Sequence, residues 1–73
     1  MEQTSISIVL NGEPRDVPGG ATVLDLLVEL GRDARTVAVE RNGDILPRAS
    51  FGATALRPGD RLEVVHFVQG GLA

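Results

Sequence analysis

Residues 4–17, TSISIVLNGEPRDV, decide the fold because they combine the period of a strand with a strong turn signal. Polar and apolar side chains alternate up to Leu10, as expected of a β-strand that buries one face. Asn11-Gly12 is the dipeptide most typical of a tight hairpin turn. The segment therefore predicts an opening β-hairpin, and three residues of its first strand share the buried face: Ile6, Ile8 and Leu10.

A helix is predicted directly after the hairpin. Pro18-Gly19-Gly20 ends the second strand, and Thr22 with Asp25 three residues later has the pattern of a capping box. Gly31 is placed to end the helix in a left-handed conformation, so the helix should be about eight to ten residues long. Its buried side is predicted from helical spacing to contain Val23, Leu24, Leu27 and Leu30, with Asp25 and Glu29 facing away.

The second half of the chain predicts further strands. Val37-Ala38-Val39 has the composition of a strand, and a second turn dipeptide, Asn42-Gly43, follows it. Residues 48–56 show no clear period. Arg57-Pro58-Gly59-Asp60 predicts a turn, and residues 62–67 predict a last apolar strand.

This order of elements predicts an α+β fold of the β-grasp (ubiquitin-like) type, in which a mixed sheet packs on one main helix. A chain of 73 residues has room for one core and therefore one domain. We assign residues 1–67 to that domain. Residues 68–73 are expected to form a flexible C-terminal tail that carries Gly70-Gly71.

Composition excludes several classes of site and partner. The chain contains no cysteine, which removes disulfides, thiolate metal sites and cysteine nucleophiles, and its single histidine, His66, argues against a metal site. The seven basic residues, all arginine, are scattered among ten acidic ones, which argues against a nucleic acid partner. No apolar run approaches the roughly 20 residues of a membrane span, and the N-terminus lacks a signal-peptide pattern. We therefore expect a cytoplasmic protein without membrane association.

Several segments of the chain resemble the ThiS family of sulfur carriers. They are VAVERN (37–42), ILPR (45–48), LRP (56–58), GDRLEVV (59–65) and VQGG (68–71), and the resemblance covers residues 6–71. A Gly-Gly pair alone is weak evidence, because Gly19-Gly20 is another such pair. A pair that follows a Gly-Asp turn and one apolar strand is specific for ubiquitin-like carriers. Phe51 departs slightly from the family, which often has tryptophan at this place.

The resemblance implies that the working group is the backbone carboxyl of Gly71, carried by a tail of Val68, Gln69 and Gly70. A ThiF-like adenylating enzyme would convert this carboxyl to an acyl adenylate with its own ATP and magnesium. Sulfur from a persulfide donor protein would then produce a thiocarboxylate. The chain itself would be a protein substrate and not an enzyme, with no catalytic residue and no cofactor of its own.

Two residues beyond the diglycine depart from the family pattern. Carriers of this kind act with the second glycine as the terminal residue, whereas here Leu72-Ala73 follow it. By resemblance to related carriers with such an extension, a processing metalloprotease would remove these two residues before activation. A cloning remnant and a tolerated variation are the alternatives.

The last strand predicts an interaction surface next to the tail. If Leu62 and Val64 point inward, Val65 and Phe67 lie on the opposite sheet face, with Val9 beside them, and form an apolar patch that docks the adenylating enzyme. A register shifted by one residue would instead place Val65 and Phe67 in the core. The sequence leaves both registers open.

The leading hypothesis is a sulfur carrier for thiazole formation in thiamine biosynthesis, with thiazole synthase as the acceptor enzyme. The same thiocarboxylate could serve another acceptor: cysteine, a thiolated transfer RNA, a secondary metabolite or molybdopterin. A ubiquitin-like protein modifier, joined to target lysines through Gly71, is a hypothesis of a different class. A β-grasp binding module whose tail has no chemistry is the third.

Overall fold

The computed structural model describes residues 4–67, and residues 1–3 and 68–73 lie outside the described part. Its helix and strands are, in chain order, β1 (Ser5–Leu10), β2 (Glu13–Pro18), α1 (Val23–Glu29), β3 (Val37–Arg41), β4 (Asp44–Ile45) and β5 (Arg61–His66). Two 3₁₀ helices complete it, Ala34–Thr36 and Arg48–Ala53. The second of these accounts for the segment that shows no clear period in the sequence.

The five strands form one sheet in the order β2-β1-β5-β3-β4. Neighbouring strands are antiparallel except for β1 and β5, which run parallel with Val9 opposite Arg61. The last strand of the chain is therefore the central strand of the sheet. The predicted α+β architecture, a mixed sheet packed on one main helix, is confirmed for the described residues.

Both predicted hairpin turns are present, at Asn11-Gly12 and Asn42-Gly43. The backbone φ angles are 50° and 84° at the first pair, and 53° and 89° at the second. Two successive positive φ angles match the right-handed twist of the strands that the turn joins. Asparagine and glycine tolerate this conformation best, so the local sequence specifies both turns.

The predicted capping box is confirmed at the start of α1. The Thr22 hydroxyl accepts a hydrogen bond from the Asp25 backbone N–H (3.1 Å), and the Asp25 carboxylate accepts one from the Thr22 N–H (2.9 Å). Gly31 has the predicted positive φ, 72°. The helix contains seven residues, one fewer than the shortest length expected, because Leu30 already forms its C-cap.

The prediction that Leu24 belongs to the buried side of the helix was wrong. Leu24 is 40% exposed, whereas Leu26, which was not assigned to that side, is 1% exposed. Successive helical residues are about 100° apart around the helix axis, so Leu24 is rotated away from the buried side on which Val23 and Leu27 lie. Leu26 lies three residues after Val23 and falls back onto that side.

The core lies between α1 and one face of the sheet, and the 3₁₀ helix at Arg48–Ala53 closes one side of it. Ile6 and Leu10 pack against this core from β1. The predicted buried face of β1 is therefore confirmed. The buried apolar residues of the described part are Ile8, Val17, Val23, Leu26, Leu27, Val37, Val39, Phe51, Leu56 and Leu62.

Candidate functional site

Strand β5 leads directly into residues 68–73. Neighbouring backbone holds it along its length: the Asn11 N–H donates to the Leu62 carbonyl (2.8 Å), and at the far end the Phe67 N–H donates to the Thr36 carbonyl (3.0 Å). The tail therefore begins at a point that the centre of the sheet fixes. The residues predicted to form the reactive tail, Val68, Gln69, Gly70 and Gly71, lie outside the described residues, and their role stays a prediction.

The orientation of β5 decides between the two registers that the sequence left open. Leu62 is 1% exposed and Val64 packs partly buried against the core, whereas Val65 is 57% exposed and Phe67 40% exposed. The shifted register, which would bury Val65 and Phe67, was wrong. Their assignment as a docking surface stays a prediction.

The sheet face that points away from α1 is called the open face below. Its residues on β1, β3 and β5 include Val9, Ala38, Glu40, Arg61, Glu63 and Val65. Val65 lies opposite Ala38 on β3, at the end of the face nearest the tail. Phe67 is two residues further along the chain, and it lines a groove of about 310 Å³ together with Leu46 and Pro47.

The sequence reasoning placed Val9 beside Val65 and Phe67, and this prediction was wrong. The parallel pairing places Val9 opposite Arg61. Arg61 precedes Val65 by four residues, which is about 13 Å along a strand. Val9 and Val65 both lie on the open face but at opposite ends of it. The reason is that β1 pairs only with the first two residues of β5.

Asn11 supports β5 where β1 has ended, and sequence reasoning recognised it only as a turn residue. The Val64 N–H donates to the Asn11 side-chain oxygen (2.8 Å), and the Asn11 amide nitrogen donates to the Val64 carbonyl (3.4 Å). The side-chain amide thus replaces one peptide group of the missing strand. Asn11 has a positive φ of 50°, and its side chain reaches β5, a contact that the turn signal alone does not reveal.

Asp60 joins the start of β5 to the neighbouring hairpin, and sequence reasoning had assigned it only to a turn. It is 6% exposed. Its carboxylate accepts hydrogen bonds from the Arg57 N–H (2.9 Å), the Asn42 amide (3.1 Å) and the Arg41 guanidinium (3.1 Å). Burial alone would raise the pKa of Asp60, but these three donors outweigh it and hold the pKa below its ordinary value.

Within residues 4–67 no group of three or more histidine, cysteine, aspartate or glutamate side chains is placed to hold a metal ion. His66 is exposed at the end of β5, opposite Val37. No helix in the same range is long and apolar enough to cross a membrane. The described features that precede the tail are β5 and the open face.

Comparison with known proteins agrees with this arrangement. Residues 8–71 match the sequence profile of the ThiS family. The chain is 40% identical over 62 residues to the sulfur carrier protein ThiS of Thermus thermophilus, covering 85% of this chain and 95% of that protein. The crystal structure of the thiamine biosynthesis protein ThiS from Geobacter metallireducens is similar with a TM-score of 0.77 and 36% identity, covering 90% of this chain and 100% of that one.

Longer relatives also match. The chain is 48% identical over 66 residues, 90% of its length, to a protein named thiazole synthase from Paramagnetospirillum magneticum, of which it spans 20%. The family profile, the carrier relatives and the solved structure all support the β-grasp fold and the same class of protein. The chain belongs to the ThiS family of small, ubiquitin-like sulfur carrier proteins.

Proposed function

We propose that this chain carries sulfur as a thiocarboxylate on Gly71 and donates it for thiazole formation in thiamine biosynthesis. The observation that carries the proposal is the family match, which extends from residue 8 to residue 71 and so includes the diglycine. The chain acts as a protein substrate, and a ThiF-like adenylating enzyme, which holds ATP and magnesium, performs the activation.

Activation is needed because a carboxylate is a poor electrophile. Its negative charge opposes attack at the carbonyl carbon. Joining one carboxylate oxygen to AMP, with release of pyrophosphate, makes that oxygen part of a good leaving group. The outer sulfur of a persulfide protein then attacks the carbonyl carbon and displaces AMP, which joins carrier and donor through an acyl disulfide. A thiol of the partner proteins or an added reductant cleaves the S–S bond and is itself oxidised to a disulfide, and the C-terminus of the carrier is released as a thiocarboxylate.

The geometry of the described residues suits such a carrier. β5 is held by β1 and the Asn11 side chain as far as Val64 and on its other side by neighbouring backbone as far as Phe67. The four residues from there to Gly71 can span about 13 Å when extended. This length allows the carboxyl to enter an active site while the folded domain stays outside. Glycine at positions 70 and 71 suits a narrow channel, because a residue without a Cβ can pass close to protein walls and nucleotide.

Thiazole synthase is the acceptor that the relatives favour. Two proteins of that name match this chain at 48% and 46% identity over 66 residues each. A region similar to this chain within proteins named thiazole synthase associates a carrier with that acceptor. We therefore propose thiazole synthase, acting on the loaded carrier, as the second partner.

Removal of Leu72-Ala73 by a processing metalloprotease is part of the proposal, because only a free Gly71 carboxyl can be adenylated. The test compares the full chain with a chain that ends at Gly71 by intact-protein mass. Each is incubated with the adenylating enzyme, ATP, magnesium, a persulfide donor and a thiol reductant. A chain that ends at Gly70 serves as the matched control.

We expect only the chain ending at Gly71 to gain the mass difference between sulfur and oxygen. That gain should disappear when ATP is omitted. If the chain ending at Gly71 gains no mass with the complete mixture, the thiocarboxylate proposal is wrong. If the full chain gains it without loss of Leu72-Ala73, the trimming step is wrong.

A further inference from the structure

The chain contains two Asn-Gly pairs in equivalent places, Asn11-Gly12 and Asn42-Gly43. Each pair forms the two-residue turn of a hairpin. The φ angles of the first pair, 50° and 84°, are close to those of the second, 53° and 89°. Both asparagines are exposed. Turn geometry and exposure therefore give no reason for the two pairs to react differently with water.

Asn-Gly is the dipeptide that deamidates most readily, because glycine has no side chain to shield its backbone nitrogen. That nitrogen attacks the carbon of the asparagine side-chain amide, and a five-membered succinimide ring forms. The proton of the backbone N–H leaves with the amide NH₂ as ammonia. Water then opens the ring at either carbonyl and yields aspartate or isoaspartate. The ring can form only after the side-chain amide has left its hydrogen-bond partners and turned toward the glycine.

The Asn11 amide is held by neutral backbone groups at an exposed part of β5. Its oxygen accepts a hydrogen bond from the Val64 N–H at 2.8 Å, and its nitrogen donates to the Val64 carbonyl at 3.4 Å. The second distance exceeds the usual range for a hydrogen bond between nitrogen and oxygen. Because these contacts are exposed, water can replace the amide when it turns away.

The Asn42 amide is held by a buried charge. Its nitrogen donates to the Asp60 carboxylate at 3.1 Å, and its oxygen accepts from the Arg61 N–H at 2.9 Å. Asp60 is 6% exposed. Hydrogen bonds to a charged group are stronger than those between neutral groups, and a buried carboxylate that loses a donor is not readily compensated by water. Turning this amide toward the glycine therefore costs more free energy than the same movement at Asn11.

We propose that Asn11-Gly12 is a site of spontaneous deamidation in the folded protein, and that Asp60 protects Asn42-Gly43 from the same reaction. The inference concerns the free carrier and does not depend on the chemistry proposed for the tail. An ionised aspartate at position 11 has no donor for the Val64 carbonyl. The isoaspartate product also lengthens the backbone by one carbon within the turn. Modified carrier thus loses part of the support of β5.

The test follows the full chain during prolonged incubation at mildly alkaline pH. Peptide mapping by mass spectrometry measures, separately at Asn11 and Asn42, the conversion of amide to acid and the share of isoaspartate. The same chain in urea is the reference in which neither turn is held. Asp60→Asn removes the protecting charge and keeps the shape of the side chain. Asp33→Asn is the matched control, because Asp33 bonds to Arg35 and not to either asparagine.

In the folded chain we expect Asn11 to react about tenfold faster than Asn42, the ratio expected when a charged hydrogen bond is compared with neutral ones. In urea the two rates should be equal. Asp60→Asn should accelerate the reaction of Asn42 several-fold relative to Asn11, whereas Asp33→Asn should leave the ratio unchanged. The purified isoaspartate form should unfold at a lower temperature than fresh carrier.

Several results would overturn the inference. One is equal rates at the two sites of the folded chain, or a faster reaction at Asn42. Another is an Asn11 that does not react during a time in which the chain in urea does. If Asp60→Asn accelerates both sites by the same factor, global unfolding explains the reaction and local protection by Asp60 is wrong. An isoaspartate form as stable as fresh carrier would remove the proposed effect on β5.

Discussion

Asp60 is the residue on which the start of β5 depends. Its buried carboxylate accepts hydrogen bonds from two separate segments, Arg41 and Asn42 at the end of β3 and Arg57 in the turn before β5. The Asn42 side chain in turn accepts a hydrogen bond from the Arg61 N–H (2.9 Å). One charged group therefore aligns the strand that leads to the tail with its neighbour β3.

The first prediction concerns Asp60→Asn, which keeps the shape of the side chain and removes its charge. At pH 7 the free energy of unfolding should fall by about 2 kcal/mol, the contribution of hydrogen bonds to a charged group. The pKa of Asp60 is lowered in the folded state, so its contribution is present above the unfolded pKa of about 3.9 and is lost as pH falls through the folded pKa. Urea unfolding of wild type and variant from pH 7 to pH 2 measures this.

The difference between the two proteins should shrink below about pH 4. A difference that stays constant over the whole range would show that shape, and not charge, explains the loss. Asp33 is a second carboxyl with a lowered pKa, and Asp33→Asn serves as the control variant. Hydrogen bonds from the Arg35 side chain and backbone lower the pKa of Asp33 to about 2, and Asp33 is exposed, so its effect has the same sign without involving β5.

Asn11 supports the second prediction at this scale. Asn11→Gly removes the amide that bonds to Val64 and keeps the positive φ of 50° without strain. We expect it to lower the free energy of unfolding by about 1 kcal/mol. Asn11→Ala should lower it by about 1 kcal/mol more, because a Cβ opposes the left-handed conformation. Equal losses in both variants, measured by urea unfolding, would mean that the amide bonds alone matter.

At the scale of elements, β5 and α1 each have one highly exposed valine. Val65 is 57% exposed on the open face, and Val28 is 70% exposed on the outer side of α1. Apolar residues exposed singly on a surface need no functional explanation. Val65 differs because Ala38 lies opposite it and Phe67 follows, next to the tail. This location connects the exposed residue with the proposed partner.

The third prediction compares Val65→Asp with Val28→Asp. Both add one negative charge and remove one exposed isopropyl group, so both should change the free energy of unfolding by less than about 1 kcal/mol. Only Val65→Asp should weaken binding to the adenylating enzyme, by about tenfold or more, as expected for an apolar residue in an interface core. Titration calorimetry with the enzyme compares them. Equal affinities would show that the enzyme does not use the open face.

At the scale of the whole molecule, the last of the described strands, β5, lies in the middle of the sheet. β5 pairs with β1 from the first hairpin and with β3 from the second, and it buries Leu62 in the core. The two hairpins are therefore joined by a strand that follows both of them in the chain. The tail that is proposed to carry the reactive carboxyl of Gly71 starts two residues after the end of this strand.

The fourth prediction follows from this topology. A chain that ends at Phe67 should fold with a melting temperature within a few degrees of wild type, because β5 is complete and residues 8–62 already supply a buried core. A chain that ends at Asp60 should not fold, because β1 and β3 lose the strand between them. Circular dichroism during heating tests both. Unfolding of the chain that ends at Phe67 would show that residues 68–73 belong to the domain.

The sequence alone determined the features that depend on neighbouring residues. Asn11-Gly12 and Asn42-Gly43 specify their turns because few other residues tolerate two positive φ angles, and Thr22 with Asp25 specifies the start of α1 through reciprocal hydrogen bonds. Leu24 and Leu26 show the limit of such reasoning. In a short helix that is rich in leucine, the pattern alone did not show which leucine faces the core.

Only the tertiary structure decided which distant residues meet. Asn11 bonds to Val64 across 53 positions of the chain, and the opposition of Glu40 to Glu63 depends on the register between β3 and β5. Local periodicity contains no information about such pairings, because the alternation of a strand is the same whatever strand lies beside it. The capacity to form turns and a helix is local chemistry, whereas the open face and the fixed origin of the tail arise from packing the whole chain around one core.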